Sequence, residues 1–290
     1  MKKYFVVSDI HSHYNELVNA LNEARFDIDN PNHILIVLGD IFDRGDQPLE
    51  VYKFLRGLPI ERRVLVLGNH ETLLLELVKR NAVTNTDLHN GTYKTLTCFS
   101  KDPYKVVTEW LNTSTEGLTY EEMRKKAQDI FEKAYYELFH NDIVKEIVNW
   151  IKSPEWVPYY ELGKYIFVHA FIPLITTDEK FQTVRYNPNW RTNSTPKELE
   201  EAKWMCPYRL YRAVLFEEEE KKGKILVCGH WHTSDFYNEL LYQYKPSKQL
   251  DIHNENPIFK NEKYPGLIGI DACTYLTKKV NVLVINEDEL

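Results

Sequence analysis

The chain has 290 residues, 43% of them hydrophobic and 27% charged, which is enough for a sizeable core in one large domain or two small ones. A formal net charge of −7 offers no basic face for non-specific nucleic-acid binding, and no apolar run approaches the ~18 residues that would mark a membrane span. The four cysteines, Cys98, Cys206, Cys228 and Cys273, are scattered without a CxxC pair, which argues against a disulfide framework or zinc knuckle and predicts a protein of the reducing cytoplasm.

The chain enters a strand almost at once. Tyr4 to Ser8 (YFVVS) is short and apolar throughout, as a strand buried on both faces reads, and nothing before it has the form of a secretory signal. Asp9 and His11 follow. Asn15 to Arg25 then places Leu17, Val18, Leu21 and Ala24 on one helical face. The next strand, Ile34 to Leu38, stops on Gly39-Asp40. After Asp43-Arg44-Gly45, Pro48 starts a second helix with Leu49, Val51, Tyr52 and Leu55 available to pack. Val64 to Leu67 stops on Gly68-Asn69-His70, and the ten residues after His70 are strongly helical. This alternation of strand and helix predicts an α/β fold.

From 81 to about 160 no strong strand is expected; Glu121 to His140 and Ile143 to Ile151 read as amphipathic helices. This stretch reads as a helical insertion within a single domain spanning 1–290, because strands resume after it. Tyr165 to Val168 stops on His169. A polar segment runs from about Thr176 to Leu199, and EEEEKK at 217–222 reads as a solvated helix end or turn. Ile225 to Cys228 stops on Gly229-His230-Trp231-His232. Gln243 to Tyr264 reads as a long loop, before strands at Leu267 to Ile270, ending on Asp271, and at Val280 to Ile285. Cys228 and Cys273 lie in apolar runs and read as buried, inert thiols.

Buried strands of an open α/β sheet point their carboxyl ends at the ligand crevice. The runs above therefore deliver Asp9, His11, Asp40, Asn69, His70, His169, His230 and His232 to one place. Asp9 and His11 are two apart, a spacing that in extended chain points both side chains one way. His230 and His232 repeat it, while Asn69 and His70 diverge. Asp40 can offer its two oxygens to two ions. Mixed carboxylate, amide and imidazole ligands suit manganese, iron or zinc. Two such ions ~3.5–4 Å apart can hold a bridging hydroxide and clamp a phosphoryl group. Each piece alone has a plain structural explanation, such as a turn or a satisfied core histidine; their combination on five strand ends does not.

The segments Ser8-Asp9-Ile10-His11, Gly39-Asp40-Ile41-Phe42-Asp43-Arg44-Gly45, Gly68-Asn69-His70-Glu71, Val168-His169-Ala170 and Gly229-His230 resemble the signature blocks of the calcineurin-like metallophosphoesterases. The Asp-Arg-Gly and Gly-Asn-His-Glu forms are closer still to the phosphoprotein phosphatase branch, which includes bacterial and phage serine/threonine phosphatases and symmetrical diadenosine tetraphosphatases. Asn90-Gly91-Thr92 with Thr95-Leu96, and Gly269-Ile270-Asp271, resemble further segments of that branch. The resemblance implies a two-sheet sandwich flanked by helices. It also implies one metal on Asp9, His11 and Asp40 and a second on Asp40, Asn69, His169 and His230. His70 would protonate the leaving oxygen, Asp43 would orient its imidazole, and Arg44 would bind phosphate.

The sequence departs from that pattern in three places. Phe171 stands where the family carries glycine and is expected to narrow the site. His232 adds a second histidine to the last block, which in the wider superfamily completes the first metal's shell. The branch also has a second phosphate-binding arginine between its last two blocks; Arg185, Arg191, Arg209 and Arg212 all lie there, with Arg191 and Arg209, each near a tryptophan, the leading candidates. His13, His33, His89, His140 and His253 read as surface or loop residues, and Trp204 and Tyr208 to Tyr211 as packing or a base-binding cleft.

The expected protein is a hydrolase with two divalent metal ions, manganese first and iron or zinc as alternatives. The first expectation for its substrate is a serine/threonine phosphoprotein. The alternatives are a dinucleoside polyphosphate or other nucleotide and, in a different class, a non-catalytic binding protein that retains the fold.

Overall fold

The computed structural model describes residues 1–113, 115–178, 183–212 and 217–290. Its first third is the expected alternation: β1 (Lys3–Val7), α1 (Tyr14–Glu23), β2 (His33–Val37), α2 (Pro48–Gly57), β3 (Arg63–Val66) and α3 (Asn69–Arg80). Pro48 opens α2, where its missing N–H costs nothing. Asn81 closes α3 in the left-handed conformation, its N–H donating to the carbonyls of Leu77 and Val78.

The insertion is helical as expected: α4 (Asn85–Asn90), α5 (Thr92–Phe99), α6 (Pro103–Leu111), α7 (Tyr120–His140) and α8 (Asp142–Ile151). Side-chain oxygens of Thr119 and Asn141 cap α7 and α8 by accepting from Glu122 and Val144 N–H groups. Helix α8 buries Val144, Ile147, Trp150 and Ile151 along one face. The expectation of no strand before 160 needs correction. β4 (Trp156–Val157) pairs in parallel with β3, and β5 (Tyr159–Leu162) pairs antiparallel with β6 (Tyr165–Val168). Two residues are too few to show an alternating pattern, and Trp156 packs against Trp150 with ring centroids 5.0 Å apart.

Further on, β7 (Ile175–Asp178) and β8 (Thr183–Arg185) form a small hairpin in the segment that read as merely polar. Helices α9 (Trp190–Asn193), α10 (Pro196–Ala202), α11 (Pro207–Arg212) and α12 (Glu217–Glu220) lead to β9 (Ile225–Cys228). β10 (Phe259–Asn261) lies inside the expected loop and pairs with β11 (Tyr264–Gly269), and β12 (Leu283–Asn286) begins later than Val280.

The strands build two five-stranded sheets, ordered β12-β1-β2-β3-β4 and β10-β11-β9-β6-β5. Strands β1 to β4 are parallel in the first, and β11, β9 and β6 in the second; β12, β10 and β5 are the antiparallel edge strands. Strand alternation divides the apolar residues into layers. Tyr4, Val6, Ile34, Ile36, Phe167, Val227 and Ile268 fill the space between the sheets. Phe5, Val7, Leu35 and Val37 face the helices of the first half, including α1, α2 and α8. Ile166, Val168, Leu226 and Cys228 face Trp190, Tyr208 and Phe236. Each such aliphatic side chain, once buried, contributes about 1.5–3 kcal/mol. The parallel strands of both sheets point their carboxyl ends at one edge of the sandwich, which is where the site lies. Among the described residues no helix is long and apolar enough to cross a membrane.

Candidate metal centre

The loops after β1, β2, β3, β9 and β11 bring Asp9, His11, Asp40, Asn69, His70, His230 and Asp271 to a crevice of about 100 Å³. His169 follows β6 directly and is buried beneath it. The chain turns sharply at most of these positions. Asp9, His11, Asp40, Asp43, Arg44 and His230 all adopt the left-handed conformation, with φ between 48 and 74°, which non-glycine residues rarely take outside functional loops. The expectation of paired ligands on extended chain is therefore corrected. The crevice is made by turns, and Asn69 and His70 sit in the first turn of α3. Two glycines are required. Gly39 has φ +80°, and a Cβ there would fall 2.5 Å from the Gly68 Cα, so the β2 and β3 loops meet backbone to backbone. Gly91 has φ +83°, and its Cβ would fall 2.6 Å from the Arg44 nitrogen.

Asp40 is the centre of the arrangement. Ligand atoms of His11, Asp40 and His70 form one close group, and those of Asp40, His169 and His230 form another, all within 4.8 Å of one another in each group. His169 Nδ1–H donates to the Leu38 carbonyl (2.6 Å), which leaves Nε2 as a bare acceptor. That acceptor faces Asn69 Oδ1 at 2.7 Å, Asp40 Oδ1 at 3.4 Å and His230 Nδ1 at 3.2 Å. The His169 nitrogen and the Asn69 and Asp40 oxygens are buried acceptors facing one another, which is costly unless a cation lies among them. His11 repeats the pattern, its Nδ1–H donating to the Phe42 carbonyl (3.0 Å) and its other nitrogen turned inward. The residues therefore fit divalent metal ions. Asp9 is buried and accepts from the His230 N–H at 2.9 Å.

Electrostatics agree with that fit. Burial pushes the Asp9 carboxyl well up, and the carboxylates of Asp271 and Asp40 add to it. Burial alone would also raise Asp40, but the imidazoles of His169, His70, His11 and His230 outweigh it and hold Asp40 below the usual range. Burial drives His11 and His169 down and His230 to about 3, so these three stay neutral, as ligands must.

His70 differs. Burial would lower its imidazole, yet Asp40 and Asp43 outweigh burial and raise it. His70 Nδ1–H donates to Asp43 Oδ2 at 2.6 Å, and His70 Nε2 stands 3.8 Å from Asp40 Oδ2. Asp43 is fully buried and is held by the Thr92 and Thr95 hydroxyls at 2.7 and 2.8 Å. Those threonines come from the Asn90-Gly91-Thr92 segment singled out in the sequence. Glu71 was missed as a site residue. Its carboxylate accepts from the Asp40, Ile41 and Gly68 N–H groups, each at 2.9 Å, and so ties the β2 and β3 loops together. Burial, then Asp40, pushes it up to about 7. Its only sequence signal was its place in the block after His70.

Arg44 lines the crevice with its guanidinium carbon 4.5 Å from the Tyr275 ring centroid. The second-arginine expectation fares differently. Arg191 is engaged with Glu161 and Glu219 and lies over Trp190. Glu161 lies on β5, opposite the start of β6, so Arg191 sits at the amino end of the strands, away from the crevice. The EEEEKK segment is likewise not merely solvated: Glu219 is fully buried and also accepts from Trp190 Nε1 at 3.3 Å. Arg209 lines a groove beside the crevice instead of the crevice itself. Arg185 lies on β8, outside the crevice lining, and the side chain of Arg212 lies outside the described residues.

His232 lines the crevice, 3.9 Å from Asp271 Oδ2. Phe171 does not narrow the site; it is buried in the core beneath the second sheet. Trp204, 46% exposed, does that instead, with its ring edge-to-face on His230 at 5.7 Å. Asp271 and Asn90, from segments singled out in the sequence, also line the crevice, as do Cys273 and Tyr275, which were not expected there. His13, expected at the surface, is buried against the Ile10 carbonyl and Lys278.

The calcineurin-like phosphoesterase profile matches residues 2–234. The chain belongs to that family. Among curated proteins it is similar to the symmetrical bis(5'-nucleosyl)-tetraphosphatase of Buchnera aphidicola subsp. Baizongia pistaciae (strain Bp), 38% identical over 77 residues, which are 27% of this chain and 26% of that protein. It is also similar to PrpE, the asymmetrical bis(5'-nucleosyl)-tetraphosphatase of Bacillus subtilis (strain 168), 34% identical over 113 residues, 37% of this chain and 46% of that protein. The matched stretches thus span about a quarter to a half of those relatives. A solved cold-active protein tyrosine phosphatase shares the fold, with a TM-score of 0.52 at 16% identity over 99% of this chain and 75% of that one.

Proposed function

We propose that this phosphoesterase-family chain is a hydrolase with two divalent metal ions, and that nucleoside polyphosphates are its substrate class. The observation that carries the reading is the cluster of facing acceptors around Asp40, set beside the His70–Asp43 pair. Asp9, His11 and Asp40 would hold one ion, and Asp40, Asn69, His169 and His230 the other; manganese is the expected metal. When bound, the ions would polarise the phosphoryl oxygens and make hydroxide available near neutral pH.

The chain's own residues supply the rest. Arg44, planar and always charged, presents a fork to the phosphoryl oxygens. His70 is the proton donor to the leaving oxygen. Asp43 keeps its Nδ1–H occupied, so that Nε2 carries the transferable proton. Thr92 and Thr95 hold Asp43 in place. His232, which lines the crevice 3.9 Å from Asp271 Oδ2, is the candidate further ligand for the first ion.

We place nucleoside polyphosphates ahead of phosphoproteins because both relatives named above are tetraphosphatases and because Trp204 and Tyr275, two aromatic rings, flank the crevice. The free cysteines fit the cytoplasm as the expected compartment. Manganese-loaded protein offered diadenosine tetraphosphate and a phosphoserine peptide should turn over the dinucleotide with the higher kcat/KM. Turnover of the peptide alone would overturn the substrate assignment and restore the phosphoprotein reading.

A further inference from the structure

The metal crevice is too small for more than the reacting phosphate, about 100 Å³, whereas ligand pockets typically run from about 300 to 1,000 Å³. The rest of a substrate must lie outside it. A groove of about 680 Å³ opens beside it, and Trp204 is the residue that lines both spaces. The groove's wall also carries Arg209, Lys197, Met205 and Cys206. Arg209 is exposed on α11, 5.9 Å over the Tyr208 ring, and makes no ion pair with a described residue. Lys197 stands 3.7 Å from Glu201 on the solvent side of α10.

We propose that this groove is the subsite for one nucleotide of the substrate, with the base against the Trp204 indole and the phosphates running past Arg209 into the crevice. The inference rests on the nucleoside polyphosphate reading above and adds the residues that select for it. Three observations carry it. The groove and the crevice share one exposed aromatic ring, Trp204. That ring meets His230 edge-to-face and is 46% exposed. Lys197 on the groove wall is paired with Glu201, which also lines it, so Arg209 is the cation there without an ion pair among the described residues, in a chain whose net charge is −7. An aromatic face and a guanidinium together match a base and its phosphate. A phosphoserine side chain would leave the indole uncovered.

Arg209 is thereby a specificity residue for the distal phosphates, which is why it is absent from the crevice where a second clamp on the reacting phosphate was expected. Trp204 is the base platform and Met205 the adaptable apolar floor.

The test compares wild type, Trp204→Ala, Trp204→Phe and Arg209→Glu on two substrates under manganese, diadenosine tetraphosphate and p-nitrophenyl phosphate. The readout is the ratio of the two kcat/KM values. Removing a stacking ring should lower that ratio roughly tenfold or more through the KM for the dinucleotide, with Trp204→Phe retaining most of it. Arg209→Glu should lower it by a similar factor. Equal losses on both substrates would mean that the groove only supports the metal site, and an unchanged ratio would mean that it takes no part; either overturns the proposal. Equilibrium binding of AMP, which needs no turnover, separates this from the broader reading. AMP bound by wild type and released by Trp204→Ala supports the subsite even if no hydrolysis is seen, in which case the hydrolase reading alone fails. Hydrolysis of the aryl phosphate with no AMP binding sinks the subsite and leaves a hydrolase.

Discussion

His70 is the residue whose surroundings are most specialised. It lies between two carboxylates, Asp43 and Asp40, and they raise its basicity against the effect of burial. A proton donor so placed matters in proportion to how poor the leaving group is. His70→Asn should therefore lower kcat by about 10²–10⁴-fold on an alkyl phosphate and far less on an activated aryl phosphate; equal losses on both would remove the acid role. Thr95→Val deletes a hydroxyl on Asp43 that bonds a fully buried carboxylate. Thermal unfolding should show a loss of roughly 1–3 kcal/mol, with activity on the alkyl phosphate falling as well. At this scale the sequence was legible wherever a short motif holds the chemistry. Asp9, His11, Asp40, Asn69 and His70 each sit beside a glycine or a strand end. Asp271 was visible only as a strand end in a familiar segment and Trp204 only as packing or a cleft residue; the packing of β11 and of the chain after α10 is what brings both to the crevice. Arg191 was misplaced for the same reason: its partners, Glu161 and Glu219, are remote in sequence.

Between elements, the loops matter more than the strands that carry them. The β2 and β3 loops touch at Gly39 and Gly68, and Glu71 stitches them together from the first turn of α3. Gly39→Ala would combine a left-handed backbone with a Cβ 2.5 Å from another backbone. The backbone term alone costs on the order of 1–3 kcal/mol, so the variant should melt earlier and bind manganese more weakly, as calorimetry would show. On the far side of the second sheet, Arg191, Glu161 and Glu219 hold α9 and α12 to β5. Burial would raise Glu219, but hydrogen bonds from Arg191, Tyr186 and Trp190 lower it from 4.5 to about 2. Its folded-state value is below its unfolded one, so its contribution is fully present above pH 4.5 and lost as pH falls toward 2. The melting temperature of wild type should exceed that of Glu219→Gln at neutral pH, and the gap should close across that acid window. A constant gap would mean that Glu219 acts only by packing. The parallel strands and long helices were readable from apolar runs and periodicity. β4, β5, β7, β8 and β10 were not, because they lack a continuous apolar run and are defined by pairing with a neighbouring strand.

Across the whole molecule, two sheets of different composition meet at one edge, and each would contribute ligands to the proposed centre. Asp9, His11, Asp40 and Asn69 come from the first, His169 and His230 from the second. Asp40 touches residues of both halves. Metal binding should therefore clamp the sheets together and stabilise the fold as a whole. Manganese at about 100 times its dissociation constant should add ~2.7 kcal/mol, visible as a rise in melting temperature that a chelator reverses. Elemental analysis after equilibration with manganese puts the shared-ligand arrangement to the most direct test. Wild type should retain two ions per chain, as a bridged pair requires, and Asp40→Asn should lose most of both because each ion depends on that carboxylate. A wild-type content of one ion or none, or two ions undiminished in Asp40→Asn, would contradict a centre built around Asp40.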